Sequence, residues 1–242
     1  MTSAVKTAWI NVTGAAGTFD AYLALPPAGT GPGLVLFQEI FGVNAHIRAV
    51  AEQYALDGFV VLAPDVFWQQ ERRVDLGYDG TDMTRALELM TAADGAGLMR
   101  DVQDSVAALR ARPEVGGRKV GAFGYCMGGR LAYAAAATTG VDAAVAYYGG
   151  GIQNQLDLAP RITCPVLFHY AALDAHIPPA AVESVRVAMA GKPAQVHVYP
   201  NADHGFNCSP ELAQGSLANG HIRIVAIPRR RVETVDDASI EQ

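Results

Sequence analysis

Cysteine is scarce: Cys126, Cys164 and Cys208 are the three in 242 residues, too few and too unevenly spaced for a disulfide framework or a zinc site. A reducing compartment suits them, and a cytoplasmic location is expected. Charge is sparse too, at 17% of residues, with eighteen Lys and Arg against twenty-four Asp and Glu and a formal net charge of −6. No basic cluster precedes Arg229, Arg230 and Arg231, so nothing in the charge pattern suits a phosphate backbone, and no nucleic-acid partner is expected. No window reaches the roughly 18 uninterrupted apolar residues of a membrane span. The opening MTSAVKTAWINVTG lacks the apolar core of about 7 to 15 residues that marks a secretory leader. Neither a membrane partner nor an export signal is therefore expected. What the chain does have is 50% hydrophobic residues, grouped in short, strand-sized runs, which is the composition of a compact globular protein.

Strand-like and helix-like segments alternate along the chain, the pattern of a mostly parallel sheet with helices on both faces. Residues 5–13 and 18–25 flank Gly14 and Gly17 and read as an N-terminal antiparallel hairpin. Strands are expected at 34–37, 59–64, 118–124, 142–148, 164–170 and 194–200. Helices are expected from His46 to Asp57-Gly58, through Leu98, Val102, Val106 and Leu109, at 127–138 and at about 179–190. Residues 67–82, polar and without periodicity, read as a surface loop at the mouth of a site. Residues 1–208 form one domain on this reading. Residues 209–242, a β-branched run interrupted by Pro228, read as an irregular tail where a closing amphipathic helix is expected.

The chemistry concentrates at Gly124-Tyr125-Cys126-Met127-Gly128-Gly129, between an expected strand and an expected helix. A side chain on such a sharp turn projects from the sheet's carboxyl edge, and the flanking glycines let neighbouring elements approach. The helix starting at Met127 aims its free N–H groups at Cys126, which suits a developing oxyanion. Taken alone, the motif is equally a glycine-rich turn around an inert thiol. Chain order separates the two readings. Asp174 and His204 each follow a later strand, so nucleophile, acid and histidine come in the order of an α/β-hydrolase triad.

With QEIFGVN (38–44), GFVVLAPD (58–65), GYCMGG (124–129), AYYGGGI (146–152), LDAHIP (173–178) and HGF (204–206), the chain resembles the dienelactone hydrolases, or carboxymethylenebutenolidases. The resemblance implies an α/β-hydrolase fold and a carboxylic-ester or lactone hydrolase working through a thioester. Cys126 would be the nucleophile, His204 the general base and Asp174 its orienting acid. From spacing alone Glu39 reads as a solvated loop carboxylate; by resemblance it would contact the resting thiol and help activate it. The N–H groups of Ile40 and Met127 would form the oxyanion hole. Neither a metal nor an organic cofactor is required.

Tyr148, Phe206 and Arg85 are the candidate substrate contacts. One of Tyr147 and Tyr148 should pack in the core, given their alternating strand positions, and an exposed helix arginine is the plainer reading of Arg85. By resemblance two arginines would hold a substrate carboxylate. Cys208 stands where one is expected, and Met83 near the other, which argues against dienelactone itself. Cys164 reads as a buried small hydrophobe, Cys208 as packing or a second reactive thiol, and His169, His176 and His197 as structural. The expected partner is a small ester or lactone, on a monomer or weak homo-oligomer. The alternative is a non-catalytic or defective binding protein on the same scaffold.

Overall fold

The computed structural model describes residues 4–208; the expected tail at 209–242 lies outside them. One eight-stranded sheet runs in the order β1-β2-β4-β3-β5-β6-β7-β8. Its strands are β1 (Lys6–Gly14), β2 (Gly17–Leu25), β3 (Gly33–Phe37), β4 (Val60–Pro64), β5 (Val120–Tyr125), β6 (Ala143–Tyr147), β7 (Val166–Ala171) and β8 (Ala194–Tyr199). The hairpin β1–β2 closes on the pair Gly14 and Gly17 and joins β4 antiparallel, while β3 to β8 pair parallel. The parallel strands β3 to β6 are near-continuous apolar runs, as in a sheet covered on both faces, whereas the edge strand β8 carries Gln195 and His197 and is only partly buried.

Those helices are α1 (Ala45–Leu56), α2 (Gly80–Ala92), α3 (Gly95–Arg110), α4 (Met127–Thr138) and α5 (Pro179–Ala188). Asn44 caps α1 by accepting from Ile47 N–H at 3.1 Å, and Asp94 caps α3 through Ala96 and Gly97. Helix α2 was not anticipated, since only Ala86 and Leu89 are buried along it and so narrow an apolar face carries no legible period. The segment before it is also better anchored than a surface loop. Val66, Phe67 and Val74 are buried, and the carboxylate of Asp65 accepts from Phe67 N–H and Arg73 N–H.

Chain direction reverses its progress across the sheet at β3, with β4 on one side and β5 on the other. Ligands of open α/β sheets bind outside the carboxyl ends of strands at such a switch point. Phe37 pairs with Gly124, so Glu39 and Cys126, each two residues further on, leave adjacent strands at the same level.

Candidate active site

Cys126 sits at the tip of β5 with φ +54° and ψ −116°, a conformation that a side-chain-bearing residue adopts only when its surroundings hold it there. Its own N–H donates to Tyr147 O, and its carbonyl accepts from Gly129 and Arg130 in the first turn of α4. The neighbouring glycines make room for that turn. A Cβ at Gly128 would run into the carbonyl oxygens of Phe37 and Gln38, and one at Gly124 into the carbonyl of Gly128. The same crowding brings the start of α4 against the end of β3. Among the described residues none accepts a hydrogen bond from the N–H of Ile40 or of Met127.

Asp174 and His204 meet from the loops after β7 and β8. His204 Nδ1 lies 2.7 Å from Asp174 Oδ2, while Asp174 Oδ1 accepts from the backbone N–H groups of His176 and Ile177. Burial raises the Asp174 carboxyl, but the His204 ring and these two N–H groups outweigh it and leave its pKa below the usual value. Burial likewise disfavours the His204 imidazolium. Asp174 and the Cys126 side chain, both acting on the ring, more than offset it and raise the pKa to about 10. The His204 ring packs against Tyr148 at 5.0 Å and His176 at 5.2 Å between centroids.

Glu39 is 3% exposed, so it is no solvated loop residue. Its carboxylate accepts from Tyr78 Oη at 2.7 Å and from Cys208 Sγ at 3.6 and 3.7 Å. The thiol bonded to Glu39 is therefore that of Cys208. Burial, then the Glu39 charge, holds the Cys208 thiol well above its ordinary pKa, which keeps it protonated and donating. Tyr78 was not foreseen. Its segment is folded back because Gly42, at φ +84°, lets the Val74 backbone approach where a Cβ would collide; Leu76 N–H then donates to Phe41 O and Asn44 Nδ2 to Leu76 O. A lone tyrosine in a polar stretch offers no signal of this in the sequence.

Both tyrosines of β6 and its end are buried. Tyr147 stacks on His169 at 4.9 Å, whereas Tyr148 turns to the site, its hydroxyl 3.9 Å from Cys208 Sγ and its ring 5.2 Å from Phe206. Arg85 is at the surface, paired with Glu71 at 2.8 Å and Glu88 at 2.9 Å, as the plainer reading expected. His169 is a core residue bonded through Nδ1 to Tyr199 Oη at 2.9 Å, and burial pushes its pKa down to about 3. Cys164 is half-buried rather than buried.

Residues 19–218 match the model of the dienelactone hydrolase family. The chain belongs to the dienelactone hydrolase family. It is 35% identical over 191 residues to the carboxymethylenebutenolidase of Pseudomonas putida, covering 78% of this chain and 80% of that one. It is 31% identical over 215 residues to carboxymethylenebutenolidase 1 of Cupriavidus pinatubonensis, covering 87% and 91%. The solved structure of a dienelactone hydrolase-like promiscuous phosphotriesterase from metagenomic libraries superposes with a TM-score of 0.72 at 28% identity, over 84% of this chain and 85% of the other. The fold is thus that of an α/β-hydrolase, and the chain is a hydrolase of this family with a small-molecule substrate. Among the described residues no helix is long and apolar enough to cross a membrane.

Proposed function

We propose that this dienelactone hydrolase family member cleaves carboxylic esters or lactones through a Cys126 thioester. The observation that carries the reading is the 2.7 Å contact of His204 Nδ1 with Asp174 Oδ2, together with Cys126 held on its strained turn at the tip of β5; the Cys126 side chain is among the causes that raise the His204 pKa. With Nδ1 committed, Nε2 is the nitrogen available to the thiol.

Thiolate attack on the ester carbonyl gives a tetrahedral oxyanion at the first turn of α4, where the N–H groups of Met127 and Ile40, unpaired among the described residues, receive it. Collapse expels the alcohol or enolate, protonated by His204, and leaves an acyl-Cys126 thioester. Water, deprotonated by the same histidine, hydrolyses the thioester and restores the thiol. Glu39, level with Cys126 across the strand register, assists loss of the thiol proton once substrate displaces the resting contacts. Tyr148 and Phe206 form an apolar wall for the acyl group. Arg85 is left out because its guanidinium is already paired. Neutral esters and lactones are accordingly the substrates to test first.

Turnover of p-nitrophenyl acetate and of simple lactones, before and after iodoacetamide and in Cys126→Ala, tests the reading. Hydrolysis abolished by both treatments is expected; hydrolysis surviving the substitution would remove Cys126 from the mechanism.

A further inference from the structure

Outside the proposed triad lies a cluster of potential metal ligands. Glu39, His46 and Cys208, at 3%, 7% and 3% exposure, come from the loop after β3, the first turn of α1 and the loop after His204. One donor atom from each lies within 4.8 Å of the other two. His46 is the unexplained member. Its ring contacts Tyr78 and Tyr125, yet among the described residues its buried Nε2 has no hydrogen-bond partner. A buried, unpaired ring nitrogen beside a carboxylate costs stability unless something occupies it.

We propose that Glu39, His46 and Cys208 form a binding site for a borderline-soft divalent cation such as Zn²⁺. The donor set of one thiolate, one imidazole and one carboxylate is of the type such an ion prefers. His46, within 4.8 Å of the other two donors, must close in to below about 4.4 Å, the most that two ligand bonds span; sulfur and oxygen fit as they stand, because with Zn–S of about 2.3 Å and Zn–O of about 2.0 Å at tetrahedral angles they sit about 3.5 Å apart. The observed separations are 3.6 and 3.7 Å. On binding, the Cys208 S–H bond breaks, its proton leaves to solvent and the sulfur lone pair forms the metal bond. His46 ligates as the neutral ring. Three protein ligands leave a fourth position open. If Glu39 assists Cys126 as proposed above, the bound ion withdraws it and slows the hydrolase; the binding itself does not depend on that reading.

The test uses the reduced, chelator-treated full chain, with Zn²⁺ followed by equilibrium dialysis and Co²⁺ by absorption. One ion per chain and a thiolate-to-cobalt charge-transfer band are expected. Both should persist in Cys126→Ala/Cys164→Ala, whose sole thiol is Cys208. In Cys208→Ser and His46→Gln the affinity should fall at least about tenfold while circular dichroism is unchanged. Failure of the wild type to bind one ion saturably would overturn the site, as would loss of the band in the Cys126→Ala/Cys164→Ala variant. Esterase turnover is measured separately, so an inactive protein that still gives the cobalt band fails the proposed function and leaves the metal site standing.

Discussion

Cys126 carries a positive φ that its side chain disfavours, and the cost is met by the helix and strand that clamp the turn. The order of Cys126, Asp174 and His204, each beyond a strand, singles the three out in the sequence as candidates. Their meeting is now visible for Asp174 and His204 at 2.7 Å. Glu39 was legible as a candidate, but its partners were not: Tyr78 and Cys208 reach it across 39 and 169 residues, and no local pattern encodes such a contact. Removing the Tyr78 donor should cost about 1.5 to 3 kcal/mol, as for hydrogen bonds to charged groups. Tyr78→Phe is therefore expected to lower the denaturation midpoint and slow acylation, read as the burst rate with p-nitrophenyl acetate; an unchanged burst would dissociate Tyr78 from the chemistry. The His204 pair gives a signed pH dependence. Its imidazolium is favoured by folding, with a pKa raised from 6.5 to about 10, so its stabilisation is fully present below pH 6.5 and lost as pH climbs through about 10. The stability difference between wild type and His204→Gln should shrink over that interval. A difference that grows with pH would contradict the pairing.

At the scale of elements, α4 is the part on which the site depends. It starts where β5 ends, and its first turn fits against β3 only because Gly128 has no side chain. Overpacking of this kind costs about 1 to 3 kcal/mol, sometimes more, here against backbone that cannot step aside. Gly128→Ala should lower the urea midpoint by that order and abolish esterase turnover. Gly150→Ala, where a Cβ meets nothing within 4 Å, should leave the midpoint in place. Equal losses in both variants would show that the crowding at α4 is not what matters. The repeating strand and helix segments were readable because their short apolar runs alternate with helical periodicity and end at clear breakers such as Asp57-Gly58. Helix α2 was hidden by its polarity, and the anchoring of residues 66–78 by contacts to distant backbone.

For the molecule as a whole, the mostly parallel sheet followed from the alternation of elements, whereas the switch point at β3 emerged only with the strand order; the family match extends from residue 19 to 218. The sequence did not disclose which carboxylates the fold buries at a cost. Asp101 accepts from Trp68 Nε1 at 2.9 Å, yet burial dominates and lifts its pKa to about 6; burial does the same at Asp65. A carboxyl whose folded pKa is raised from 3.8 stabilises the fold below that value and loses the contribution as pH rises through about 6. Asp101→Asn keeps an acceptor for Trp68 without the charge. Its thermal midpoint should exceed that of wild type at pH 8, with the gain fading toward pH 4; no gain at pH 8 would place the cost elsewhere.

The most direct measurement is the covalent intermediate. Rapid acid quench during turnover of p-nitrophenyl acetate, followed by peptide mass spectrometry, should find an acetyl group on Cys126 that decays as hydrolysis completes and is absent from Cys126→Ala. Sustained turnover with Cys126 unmodified, or acetyl carried on another residue at a rate matching turnover, would contradict the thioester mechanism.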